Sequence, residues 1–234
     1  MLEIDIVNKI NSYLECNGVR YSNELRMGIG IPDISLNIGA NYRLKPISDY
    51  FLLSILTFVE KKHVVSFDEI KKEFLLTIAR VKQYVFTLAN MSLVKIKNQL
   101  VKALKNIFST KLGTTISIEA KLRDWKGAII QAQRYLCFSD YAYVAMPDTY
   151  IKNVDTTLFV QSGIGLLLVA EKMIEEVIPA KKSAICEFMQ KYLITSKIAG
   201  KYADVEKKHL RRSIFTPYTL LEVCDYFGAA EPVC

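Results

Sequence analysis

At the start of the chain apolar side chains recur at three- and four-residue steps. Ile4, Ile6, Val7, Ile10, Tyr13 and Leu14 share one face of a predicted helix, and Asn17-Gly18 supplies its stop. The pattern then shortens. Residues 19–27 and 31–38 read as two short strands joined by Gly28-Ile29-Gly30, with Pro32 near the start of the second, where its missing N–H is tolerable. Residues 114–121 alternate apolar and polar and are rich in β-branched side chains, which predicts a strand. Asp124 can cap the helix that follows, whose apolar stripe is Trp125, Ala128, Ile129, Ala132 and Leu136, and a strand resumes over 141–147. Residues 165–169 and 173–178 suggest two strands about the turn Ala170-Glu171-Lys172, and 184–192, 203–214 and 218–227 read as helical.

The stretch between the early and late strands has its own pattern. Residues 50–59 form a mostly apolar helix, Ser66 and Glu69 make a capping box for a second, and Thr77 can cap a third. In the third helix Ile78, Val81, Val85, Leu88 and Ala89 lie on one stripe, which leaves Arg80, Lys82, Gln83 and Thr87 on other faces. Residues 93–97 alternate apolar and basic, and after Asn98-Gln99 residues 100–104 complete a small hairpin. So long a stretch would not be a structureless loop in a compact domain, and it is read as an inserted one. The expected organisation is a first part over 1–44, an inserted domain over 45–111 and a second part over 112–234. The expected fold class is α/β, a mixed sheet flanked by helices and interrupted by a mainly helical insertion.

Charge sharpens this division. The 234 residues carry 31 Lys plus Arg against 24 Asp plus Glu, a net charge of +7. Residues 45–111 hold 12 basic and 5 acidic residues, so the whole excess falls in the insertion. An anionic partner is expected there. The helix order and hairpin resemble a winged helix-turn-helix; the resemblance implies that Arg80, Lys82 and Gln83 face the major groove of duplex DNA while Lys95 and Lys97 meet phosphates. The alternative is a solvated face of a small helical domain that makes protein contacts.

Composition excludes several classes. The 51% hydrophobic content rules out a disordered chain, and the longest apolar run, 164–170, is too short to cross a membrane. The first residues show no basic leader followed by an apolar stretch, so a cytoplasmic protein is expected. The 5 cysteines are scattered without a Cys-x-x-Cys pair, and the 2 histidines, His63 and His209, are far apart. A metal would have to sit on carboxylates.

Three residues invite that reading. Asp33 is a charged residue in an otherwise apolar strand, and Glu119 and Lys121 are two apart on another strand, so the pleat sends both to one face while Ile118 and Ala120 face a core. Pro32-Asp33, Glu119-Ala120-Lys121 and the following helix and strand resemble the PD-(D/E)XK nuclease superfamily. Gln131 and Tyr135, four apart on that helix, match the Gln-x-x-x-Tyr spacing of RecB-type members. The resemblance implies a restriction-endonuclease-like fold and a deoxyribonuclease in which Asp33, Glu119 and the Ala120 carbonyl bind Mg²⁺ or Mn²⁺. It assigns Lys121 to the attacking water, Gln131 to the phosphate or water, and Tyr135 to a place beside it. Glu24, ahead of Glu15, is the candidate for the extra acid some members carry. A homodimer or larger nucleoprotein complex is a plausible assembly. The alternative is a non-enzymatic DNA-binding or assembly protein that keeps a nuclease-like fold. Trp125 reads as core or as a base-stacking residue, Gly163-Ile164-Gly165 lacks the Gly-Lys-Ser/Thr of a phosphate loop, and the basic run over 207–212 reads as a solvated face or a phosphate contact.

Overall fold

The computed structural model describes residues 2–40, 46–47, 49–104, 106–171 and 173–202. The helices expected at 203–214 and 218–227 and the basic run at 207–212 lie outside them. In chain order the elements are α1 (Glu3–Cys16), β1 (Arg20–Asn23), β2 (Ile34–Ile38), α2 (Tyr50–Lys62), β3 (Val64–Ser66), α3 (Phe67–Glu73), α4 (Ile78–Asn90), β4 (Val94–Lys97) and β5 (Leu100–Ala103). There follow β6 (Thr114–Ala120), α5 (Trp125–Tyr135), β7 (Tyr141–Pro147), α6 (Asp148–Ile151), α7 (Thr156–Ser162), β8 (Gly165–Val169), β9 (Ile174–Ile178) and α8 (Phe188–Lys201). The chain falls into two compact units, one made of 43–111 and the other of the chain on either side.

The outer unit is an α/β fold built on a mixed six-stranded sheet of order β1-β2-β6-β7-β8-β9. Strands β6, β7 and β8 run parallel; β1, β2 and β9 pair antiparallel with their neighbours. Parallel neighbours need crossovers, and α5 and the α6–α7 pair provide them. On one sheet face Ile34, Leu36, Ile38, Ile116, Ile118, Ala120, Tyr143 and Leu167 pack with Ile6, Val7, Ile10 and Leu14 of α1.

The opposite face is buried as well, and its part on β2 and β6 is polar, beside apolar Ala142, Val144 and Met146 of β7. Ser35, Asn37, Thr115, Ser117 and Glu119 are all enclosed, with α5 against β6 and α8 against β2. Burial of these groups is tolerable where each finds a partner. Asn37 Nδ2 donates to the Leu112 carbonyl at 2.8 Å, Ser117 and Ser139 share a hydrogen bond of 2.6 Å, and Asp140 accepts from the Thr115 N–H at 2.8 Å and from Lys191 at 2.7 Å. Ser35 and Ser196 are the hydroxyls on this side that have no partner among the described residues.

The inner unit starts each helix with a side-chain cap: Asp49 accepts from the Leu52 N–H at 2.7 Å, Ser66 and Glu69 form the reciprocal box, and Thr77 accepts from the Arg80 N–H. Leu53, Ile55, Leu56, Ile70, Val81, Val85, Leu88 and Val101 form its core. Its sheet runs β3-β5-β4, and Asn98 and Gln99, both at positive φ, close a two-residue hairpin between Lys97 and Leu100.

Several elements differ from expectation. The strand expected over 19–27 stops at Asn23, because Glu24 turns to φ +47. The helix expected from 184 begins at Phe188, since Ser183 and Glu187 direct their N–H groups to the Asp140 and Cys137 carbonyls, and it continues to Lys201. Strand β3 and helices α6 and α7 are additional; Asp155 caps α7 and Gly163, at φ +73, ends it.

Asp140 ties the turn after α5 to β6 and α8. Asp140→Ala, which strands a half-buried ammonium and two Thr115 donors, is expected to lower the free energy of unfolding by about 3–5 kcal/mol. Asp140→Asn, which keeps an acceptor, should lose clearly less in guanidinium denaturation. Equal losses in the two variants would show that the charge, not the hydrogen bonds, sets the cost.

Candidate active site

Strands β2 and β6 remain paired as far as Ile34 opposite Ile118, and there they part. One residue before β2 is Asp33, whose backbone carbonyl still accepts from the Glu24 N–H while its carboxylate Oδ2 accepts the Ala120 N–H at 2.7 Å. A side chain has replaced the backbone partner that a straight strand would have supplied. Pro32, one residue further back, has no N–H to donate and lies where the two strands have parted.

Glu119, 2% exposed, faces α5. Its Oε2 accepts from the Tyr135 hydroxyl at 2.5 Å, and its Oε1 lies 3.0 Å from Lys121 Nζ. The Ile31 carbonyl, 3.3 Å from the same Tyr135 hydroxyl, is a second, weaker acceptor of its one proton and brings the β1–β2 connection against α5. Gly30 passes so close that a Cβ there would lie 2.7 Å from the Tyr135 ring, so the position is confined to glycine. Lys121 continues the pairing with β7 through its N–H to the Ala145 carbonyl, and its ammonium is also 3.7 Å from Glu3 Oε2. Glu3 Oε1 accepts the Leu122 N–H at 3.3 Å.

Glu119 and Glu3 thus flank one ammonium, and Asp33 is near enough to act on it electrostatically. Burial, with the charges of Glu119 and Glu3, pushes the Asp33 carboxyl above its ordinary range, against the Ala120 N–H and Lys121. Burial alone would depress Lys121, but the hydrogen bond and charge of Glu119, aided by Glu3 and Asp33, more than offset it and raise the ammonium. Burial and Glu119 likewise raise the Tyr135 phenol. The centre carries an excess of negative charge that a cation would relieve. Its side-chain donors are hard carboxylate oxygens, which suit Mg²⁺ or Mn²⁺ and not a nitrogen- or sulfur-preferring ion. Among the described residues no group of three or more His, Cys, Asp or Glu side chains is gathered as a fuller metal cage would need.

The remaining candidates are distributed unevenly. Asp33, Glu119, Lys121 and Tyr135 come together. Gln131 is half-buried one turn before Tyr135 and has no hydrogen bond to them among the described residues. Glu24 is exposed beyond β1, linked to Asp33 by its backbone N–H, and Glu15 accepts instead from the Tyr21 hydroxyl. Besides Glu119, the acid that reaches Lys121 is Glu3, which sequence spacing did not single out; they are 118 positions apart, and only the packing of α1 joins them. Trp125 is half-buried against Phe159, its ring centroid 6.2 Å away. In the inner unit Arg80, Lys82 and Gln83 are exposed on α4, where Arg80 donates to Gln83 at 2.9 Å. Lys95 and Lys97 are exposed on β4, and Lys102 stands directly opposite Lys95.

No family model matches the chain, and no curated protein matches it. Among solved structures a protein of unknown function from Silicibacter pomeroyi is similar, at 21% identity over 38% of this chain and 57% of that one, with a TM-score of 0.29. The chain thus spans less than two thirds of that protein's length.

The raised carboxyl of Asp33 has a consequence for stability. A folded state that prefers the protonated acid is favoured below the unfolded pKa, and that contribution is lost as pH rises through the higher folded value. Asp33→Asn keeps an acceptor for the Ala120 N–H and removes the charge. The variant is expected to be more stable than the native protein at neutral pH, with the gap closing near about pH 4. Urea titrations at both pH values measure this; a variant less stable at neutral pH would show that Asp33 is held by attraction to Lys121.

Proposed function

We infer that the chain is a divalent-metal-dependent deoxyribonuclease of the PD-(D/E)XK, restriction-endonuclease-like kind, which hydrolyses phosphodiester bonds. The observation that carries this reading is the meeting of Asp33, Glu119 and Lys121 where β2 and β6 part. Asp33, Glu119 and the Ala120 carbonyl would hold Mg²⁺ or Mn²⁺. When bound, the ion supplies a Lewis acid at the scissile phosphate and offsets charge in the transition state. Lys121 orients the attacking water and balances charge, Tyr135 fixes the Glu119 carboxylate by its hydrogen bond, and Gln131 is placed to contact the phosphate or the water.

The inner unit, in this reading, is a winged-helix-like module that grips duplex DNA. Its order of helix, strand, two helices and a two-stranded hairpin supports that reading, as does the exposure of Arg80, Lys82 and Gln83 on α4. Lys95 and Lys97 would take phosphates. Like charges directly opposed at Lys95 and Lys102 cost stability in the free protein, a cost an anionic backbone would remove.

One observation favours a second reading, a DNA-binding or assembly protein without catalysis: both Glu119 oxygens are already engaged by protein donors. Cleavage of linear, circular and branched DNA with Mg²⁺, Mn²⁺ or EDTA decides between them. Metal-dependent cutting is expected, reduced about 100-fold or more in Asp33→Asn and Lys121→Gln, with DNA binding in EDTA retained. Salt-sensitive DNA binding without cutting would select the second reading, and the absence of both would reject the two together.

A further inference from the structure

Strands β6 and β7 are parallel, so their C-terminal ends lie side by side and the segments leaving them are neighbours. The first of these segments runs from Lys121 into α5; the second is α6, immediately after β7. Across this edge Arg123 meets Tyr150. The guanidinium Nη2 donates to the Tyr150 hydroxyl oxygen at 2.7 Å, and its Cζ lies 4.8 Å from the centroid of the ring. Arg123 is exposed and Tyr150 half-exposed. Among the described residues Arg123 has no ion pair with a carboxylate. An exposed cation is therefore held in one pose by a neutral partner, its charge left unspent and much of its rotamer freedom already lost. Lys126 makes a second pair of the kind, its ammonium 5.3 Å from the Trp125 ring.

The position of this pair gives it a use. Arg123 is two residues past Lys121, so their Cα atoms are at most about 7 Å apart. A polyanionic strand whose scissile phosphate reached Lys121 would meet the carboxylates of Glu3, Asp33 and Glu119 there. Its neighbouring phosphates need a cation outside that cluster, and Arg123 is the nearest basic residue along the chain beyond Lys121. A planar guanidinium laid against a phenol also offers a surface on which a base can stack. In a continuous duplex the base faces are already taken up by stacking, so such a surface selects an unpaired strand.

Building on the nuclease reading, we propose that Arg123 and Tyr150 form a subsite for an unpaired DNA strand flanking the scissile phosphate, Arg123 taking a phosphate and the pair receiving a base. The preferred substrate is then a duplex with a single-stranded arm, and not a blunt or uninterrupted duplex.

The test uses the full chain in EDTA, where nothing is cut, and compares binding of a blunt duplex with the same duplex carrying an arm that contains 2-aminopurine. The arm is expected to raise affinity about tenfold, with fluorescence quenching of the stacked base. Arg123→Gln and Tyr150→Ala should abolish that gain and leave blunt-duplex affinity and the melting temperature near the native values. Tyr150→Phe, which keeps the ring and loses only the hydrogen bond, should retain most of the quenching. If the arm adds nothing to the native protein, or if the gain and quenching survive both Arg123→Gln and Tyr150→Ala, the subsite is overturned. Its fate is separate from that of the nuclease reading. An arm-dependent gain that needs Arg123, in a protein that never cuts, keeps the subsite and rejects the catalysis, whereas cutting without any arm-dependent gain does the reverse.

Discussion

A carboxylate that water barely reaches governs the outer unit. Glu119 lies on a strand buried on both faces, and an ionised group there is tolerated only when donors replace its water. Two do so, the Lys121 ammonium and the Tyr135 hydroxyl. The rest of the local architecture meets their requirements. Helix α5 must begin and end so that Tyr135 faces β6; Asp124 fixes its start by accepting the Gly127 N–H at 3.0 Å, and Ala128 and Ala132 allow close approach to the sheet. The β1–β2 connection must cross the Tyr135 ring without a side chain at Gly30. Helix α1 must bring Glu3 to the far side of Lys121.

The same demand extends along β6. Thr115, Ser117 and Glu119 alternate with apolar residues on β6, and each turns toward a different polar partner: Asp140, Ser139 and Tyr135. A purely apolar face would have been simpler to pack and more tolerant of small shifts. The polar one fixes the register of β6 against α5 and the turn that follows, because a slip of one residue would expose Ile116 and Ile118 to these hydroxyls and strand the carboxylate among aliphatic side chains. Rigidity at the end of β6 is a property a catalytic constellation needs.

Much of this was legible in the sequence, and the failures have physical reasons. The capping residues Ser66, Thr77, Asp124 and the alternation over 114–120 act locally, and the elements they announce are present. The pairing of Glu119 with Lys121 follows from the pleat alone. Alternation could not reveal that the polar face is buried too, since period-two patterns say which residues share a face and not what covers it. Glu3 was beyond reach for the same reason: its role depends on how α1 crosses the sheet. Helices α6 and α7 are short, with Phe159 the one buried residue of α7, so they left a weak apolar signature; Asp155 and Gly163 at the two ends of α7 were the available signal. Glu24 looked like a strand acid because apolar residues recur at alternate positions around it, at Val19, Tyr21, Leu25 and Met27, but backbone at positive φ takes it out of the sheet.

The pairing of Ile38 with Thr114 makes the 43–111 unit an insertion between two adjacent antiparallel strands. To the sheet, that unit is the loop of a hairpin. Gly39 and Gly113, both at positive φ, give the chain the freedom to turn out and back at neighbouring points, and a Cβ on Gly113 would collide with the Ile38 carbonyl. Closing a hairpin over a long loop costs little more than over a moderate one, about 0.6 kcal/mol for each doubling of length. The join is therefore a socket: a lineage could gain, lose or exchange the basic unit at this point while the strands that carry Asp33 and Glu119 went on meeting in the same register.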